Sequence, residues 1–166
     1  MNFLISLKEF KNHLLRKENI FFFIFIIIIF FLDRLSKLKI INNLNEVPFY
    51  VNDYINFDLI WNAGIGFGLL STNSSLLYNL TTILIGTVIM SLIYFFILSN
   101  KIDKFIYSII VGGALGNFYD RIIFKAVPDF VDLHYDNFHW FTFNVADIFI
   151  TIGIFIYILK SFIVKN

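Results

Sequence analysis

The run IFFFIFIIIIFFL, Ile20 to Leu32, leaves this chain few options. An unbroken apolar stretch has no face to turn toward water, whether as helix or strand, so it is expected inside a membrane. The composition agrees. Of 166 residues 58% are hydrophobic and only 15% charged, where a soluble domain carries roughly 25%. A bilayer core takes ~20 apolar residues per helix, which leaves room for a handful of spans and little else. A net charge of +1 gives nucleic-acid binding no electrostatic support. With no cysteine, a disulfide framework, a thiolate nucleophile and a cysteine zinc site are excluded.

The residues after this run are DRLSK rather than the small residues of a cleavage site, so an uncleaved anchor over about residues 18–38 is expected. Its apolar core is short, and it spans only with basic residues snorkelling at both ends. Further spans are expected over 76–98, 105–124 and 144–164. Before them, residues 1–18 place Phe3, Leu4, Leu7, Phe10, Leu14 and Leu15 on one helical face, with lysines and Arg16 largely on the other, the pattern of an interfacial amphipathic helix. Lys8, Lys11, Arg16, Lys17, Lys101, Lys104, Lys160 and Lys165 fall in the terminal segments and the 99–104 link. The connections 40–75 and 125–143 hold only Lys125. Both termini are therefore expected in the cytoplasm, with these two connections outside. The first has alternating aromatic and β-branched residues and predicts a small sheet-like element; the second has room for a short surface helix. No repeat or linker divides the chain, and residues 1–166 read as a single membrane domain.

This topology brings polar residues to one depth. Asn117, Asp120 and Arg121 share a face near the outer end of the third span, and Asn144 and Asp147 open the fourth. Asp33 and Lys37, at i and i+4, sit toward the outer end of the first and read as a structural ion pair. Asp120 with Arg121 reads as a bracket between helices, and Gly112-xxx-Gly116 as close helix packing. Asp132 and Asp136 read as solvated loop acids. Asp129 and Asp147 differ, because neither has a basic residue beside it in an apolar surround. Facing each other, they would share a proton and do general acid–base chemistry, one activating a water and the other polarising a carbonyl. Asp132, His134 and His139 would be the residues of a zinc site, but their spacing is unspecific and no His-Glu-x-x-His element is present. No metal is expected.

These residues resemble lipoprotein signal peptidase, or signal peptidase II, the bacterial aspartic peptidase family of the inner membrane. The likeness runs from about residue 20 to 160, through DRLSK (Asp33, Lys37), NAGIGFG (Asn62, Gly64, Phe67, Gly68), GGALGNFYDR (Gly112 to Arg121), VPDF (Asp129) and FNVAD (Asn144, Ala146, Asp147). One such piece is weak; five in this order are specific. The resemblance implies an all-α membrane protein of four transmembrane helices, with a small outer β-cradle from the first connection and a short periplasmic helix in the second. It implies Asp129 and Asp147 as the catalytic dyad and no cofactor or metal. Asn62 and Gly64 would shape the groove, Asn117 and Arg121 would act near the substrate, and Asn144 would hold the dyad. Asp33, Lys37, Asp120 and Ala146 would be supporting positions. The implied substrates are diacylglyceryl-modified prolipoproteins, cut on the amino side of the lipidated Cys, in contact with membrane lipids at the periplasmic face. Departures from the family pattern are Arg34 where Gln is usual, Pro128 where a second Val is common, Ile65-Gly66 in place of small Ala residues, and the 1–18 segment.

Two rival classes remain. A proton-coupled small transporter predicts acids at the bilayer midplane and repeated halves. A non-enzymatic scaffold predicts that Asp→Asn changes are tolerated.

Overall fold

The structure is a computed structural model that describes residues 14–44, 48–64 and 75–164. Most of the 1–18 amphipathic segment, and Phe67 and Gly68 of NAGIGFG, lie outside the described residues. The elements are helix α1 (Lys17–Asn43), strands β1 (Phe49–Asn52) and β2 (Ile55–Asn62), helices α2 (Ser75–Leu98) and α3 (Lys101–Phe124), strands β3 (Val127–Tyr135) and β4 (Phe138–Phe143), and helix α4 (Val145–Val164).

Helices α1, α2 and α4 are long and apolar enough to cross a membrane. The apolar side chains they leave exposed, such as Phe21, Ile24, Ile83, Met90 and Phe155, have no place facing water. Within α1 one stripe is buried, Asn19, Phe22, Ile26, Ile29, Asp33 and Lys37 at helical spacing, with Arg34 buried at its side. Its first half joins Phe96 and Ile97 of α2 and Val111 of α3 in the apolar core; its second half is charged.

Helix α3 is the least apolar of the four and packs against each of the others. Asn100 starts it, its side chain accepting from the N–H groups of Ile102 and Asp103. Glycine makes the central position possible. A Cβ at Gly112 would lie 2.7 Å from Ile29 Cβ, one at Gly113 2.6 Å from the Ala146 carbonyl oxygen. The Gly112-xxx-Gly116 spacing thus serves close approach to α1, where a Cβ at Gly116 would meet Asp33, and Gly113 serves the approach to α4.

The strands form one antiparallel sheet in the order β1-β2-β3-β4. The first connection supplies β1 and β2, as the sequence predicts. The second corrects an expectation, for it contains a hairpin, β3–β4, and no helix. VPDFVDLHY and FHWFTF alternate, and Asp136 takes a left-handed φ of 53° in the two-residue turn between Tyr135 and Phe138. The fold is therefore helical with a four-stranded sheet rather than all-α, and β3 is its buried strand. Between α3 and β3 stand only Lys125 and Ala126. Lys125 adopts φ 58° and ends the helix in the left-handed conformation. That sharp exit places Asp129 against the end of the bundle.

Candidate active site

The α4 entrance is a reciprocal cap. Asn144 Oδ1 accepts from the Asp147 N–H at 3.1 Å, and Asp147 Oδ2 accepts from the Asn144 N–H at 3.1 Å. This is the capping-box arrangement, written here as N-V-A-D, and it fixes the Asp147 rotamer. The N–H between them, on Ala146, donates to Asp33 Oδ1 of α1 at 2.9 Å. The other end of Asn144 then reaches β3: its Nδ2 donates to Asp129 Oδ1 at 2.6 Å. One asparagine thus holds both aspartates.

Asp129 is 4% exposed and accepts a second amide, from Asn62 Nδ2 at 2.9 Å. Asn62 is itself set by an Asx turn in which Oδ1 accepts from the Gly64 N–H at 2.8 Å. Burial raises the Asp129 carboxyl from 3.8 to about 6; the Asn62 and Asn144 amides and Lys37 oppose the rise, and the charge of Asp147 adds to it. Asp147 thus lies within electrostatic range of Asp129. It is only half-buried, and it borders a cavity of about 270 Å³ walled by Leu133, Phe141, Phe143, Ile148, Thr151 and Ile152. A buried carboxyl and a half-buried one within electrostatic range, the second bordering an apolar hollow, can share a proton and run general acid–base chemistry.

Behind the pair lies a charged bracket. Lys37 Nζ, fully buried, donates to Asp33 Oδ2 at 2.8 Å, Asp120 Oδ2 at 2.7 Å and Asn117 Oδ1 at 2.7 Å. Asn117 Nδ2 donates to Asp147 Oδ1 at 2.8 Å. Asp120 also pairs with Arg34, whose guanidinium carbon lies 4.8 Å above the Tyr119 ring. The expected bracket is there, but its partners differ. Asp120 turns to Arg34 and Lys37, while the Arg121 guanidinium donates to the Gly64 carbonyl oxygen. Tyr78 in turn donates to the Arg121 carbonyl at 2.9 Å.

Every proposed site residue is thus placed: Asp129, Asp147, Asn62, Asn117, Asn144, Asp33, Lys37, Asp120 and Ala146 form one connected network, and Arg121 with Gly64 braces its edge. Sequence reasoning missed Arg34 as a member. Its signal was an arginine inside an apolar helix, which must find a partner. Asp132 is a second correction. It is not solvated but 5% exposed, with His139 Nδ1 2.7 Å from its Oδ2. Asp136 is exposed, as expected.

Fold and site together define a helical membrane protein with an aspartate pair where the bundle meets its sheet. The family described as Signal peptidase (SPase) II matches residues 25–163, and the chain belongs to that family. The lipoprotein signal peptidase of Pelagibacter ubique (strain HTCC1062) is 47% identical over 146 residues, covering 86% of this chain and 88% of that protein. That of Rickettsia akari (strain Hartford) is 41% identical over 140 residues, covering 80% and 70%. A solved bacterial membrane enzyme superposes with a TM-score of 0.73 at 28% identity, over 87% of this chain and 89% of that one.

Proposed function

We propose that the chain is a membrane aspartic endopeptidase that releases the signal peptide from diacylglyceryl-modified prolipoproteins by hydrolysing the bond before the lipidated Cys. The family membership supports the reaction class, and the observation that carries the chemistry is the Asn144 bridge between Asp129 and Asp147. With one proton on the pair, the ionised carboxylate takes a proton from a water as it attacks the scissile carbonyl. The protonated partner donates its proton to the carbonyl oxygen, giving a gem-diol. As the C–N bond breaks, the first aspartate passes the water's proton to the leaving nitrogen and the partner takes its own back from the gem-diol hydroxyl, which restores one proton to the pair. Asn117 and Asn144 hold Asp147; Asn62 and Asn144 hold Asp129. The apolar cavity beside Asp147 suits an apolar part of the substrate.

The same proposal takes residues 1–166 as one membrane domain in the bacterial inner membrane, with both termini cytoplasmic and the sheet at the periplasmic face. It takes α3 as a fourth span. Polar content lowers the hydropathy of α3, yet Asp120 and Arg121 are buried against protein partners, as a spanning helix requires. The transporter alternative gains no support, since the acids gather where the bundle meets the sheet and relatives are named as peptidases.

The test is a gel-shift assay with a lipidated prolipoprotein. Asp129→Asn and Asp147→Asn should each abolish conversion while the folded protein persists in the membrane. Normal turnover by either variant overturns the assignment.

A further inference from the structure

On the sheet stands a second cluster that the dyad does not use. Side chains alternate along a strand, so Asp132 and His134 share the face of β3 opposite that of Asp129. A bulge completes the group. Leu133 faces Phe141, but the next residue, His134, faces His139, so β4 carries one extra residue there, Trp140. In unbroken register Trp140 would oppose His134, and His139 would pair with Tyr135. With it, the two imidazoles stack at 5.3 Å with 23° between their planes.

We propose that Asp132, His134 and His139 form a three-ligand site for a divalent transition cation of the zinc class. Asp132 Oδ2 lies 2.7 Å from His139 Nδ1 and 3.5 Å from His134 Nδ1, and the ligand atoms of the trio lie within 4.8 Å of one another. Bonds of about 2.1 Å at a tetrahedral angle separate neighbouring ligand atoms by roughly 3.4 Å, so the carboxylate–His134 distance already fits, while His139 has to draw back from Asp132 and turn its ring toward the shared point. It is exposed and free to do so, and it leaves the fourth position on the open side. Two imidazoles and one carboxylate favour zinc-like ions over magnesium or calcium.

A second observation points to a ligand. His134 is 6% exposed, and its Nδ1 has no hydrogen-bond partner among the described residues; the same holds for Asn56 Oδ1. The Asn56 amide meets His134 Nε2 at 3.4 Å. With the amide turned so that Oδ1 accepts from Nε2–H, the lone pair of Nδ1 is left facing the carboxylate oxygen, free for a cation. Metal-binding histidines are commonly held by such an outer oxygen.

The test is calorimetric titration of the metal-free, full-length protein in detergent micelles with zinc chloride, and a parallel titration with cobalt chloride followed by its visible absorption. Saturable uptake of one ion per chain is expected. His139→Ala, a change at an exposed side chain, should weaken it at least tenfold, since loss of even an outer partner costs 10- to 100-fold. Asn56→Ala should weaken it too. Absence of saturable uptake, or unchanged affinity in His139→Ala, overturns the site and leaves a histidine–carboxylate hydrogen-bond cluster only. The Asp129→Asn/Asp147→Asn double variant should bind the ion as tightly as the parent. Loss of binding there would assign the ion to the dyad and overturn the proposal, whereas the peptidase reading is tested separately by cleavage.

Discussion

Lys37 Nζ donates to Asn117 Oδ1 at 2.7 Å, and Asn117 Nδ2 donates to Asp147 Oδ1 at 2.8 Å. An ammonium has donors and no acceptor, so it faces only the oxygen end of the amide. The NH2 end is therefore aimed at the carboxylate. A lysine buried out of reach of any substrate thus decides how the more exposed acid of the pair is held.

Lys37→Met should expose this dependence. It leaves the carboxylate of Asp33 buried without its cation, while Asp120 keeps Arg34. Breaking a buried pair on one side costs about 3–5 kcal/mol. A marked fall in the thermal unfolding midpoint in detergent is expected, with slower prolipoprotein cleavage per folded molecule.

Asn144→Ala should lose the helix cap, about 1 kcal/mol, together with the anchors of both aspartates. Asn144→Ser separates the two roles. A serine caps the helix but does not reach Asp129, so thermal stability should largely return while kcat stays low, on the order of 100-fold below the parent for a displaced catalytic group.

The pH response follows from Asp129. Its folded carboxyl stands at about 6, above the ordinary 3.8, because burial disfavours the charge. The folded state therefore binds this proton more tightly than the unfolded state. The contribution is fully present below about pH 4 and is lost as pH rises through 6. Over that window the parent should lose stability faster than Asp129→Asn, by up to about 1.4 kcal/mol per pH unit for one proton. Unfolding midpoints measured across the window check this. The same range should show an apparent pKa of the pair in kcat/KM.

Glycine changes should rank by what each Cβ meets. Gly113→Ala drives a methyl against the Ala146 backbone oxygen, beside Asp147, and should cost about 1–3 kcal/mol as well as activity. Gly86→Ala meets only the tip of the Phe118 ring at 3.0 Å, which can swing aside. Parallel unfolding curves of the two variants give the comparison.

Much of this was legible in the sequence because membrane burial is demanding. Apolar runs outline the helices, and an acid with no local cation, such as Asp129 or Asp147, must find company elsewhere. Gly112 and Gly116 announced close packing for the same reason. The β3–β4 hairpin was harder to see. Its alternation is visible, but Asp136-Asn137 lacks the glycine that usually marks a two-residue turn. Missing the hairpin also put Asp132 in solvent, since the bulge at Trp140 that gathers the histidines around it is a matter of register and leaves no mark in composition. Asp120 drew Arg34 rather than its neighbour Arg121 because adjacent residues on a helix point apart.

The bond from the Ala146 N–H to Asp33 Oδ1 joins α1 to α4 across 113 positions of sequence. While the chain is being made, Asp33 and Lys37 enter the bilayer long before the residues they serve. The charged bracket can close on itself once α3 arrives, but Asp33 Oδ1 has no Ala146 N–H to accept from until α4 docks. A chain stopped short of α4 carries Asp129 without its partner, so it lacks the second carboxyl that the proposed chemistry needs. Proteolytic competence would thus arrive with α4, well after Asp129 itself has been made.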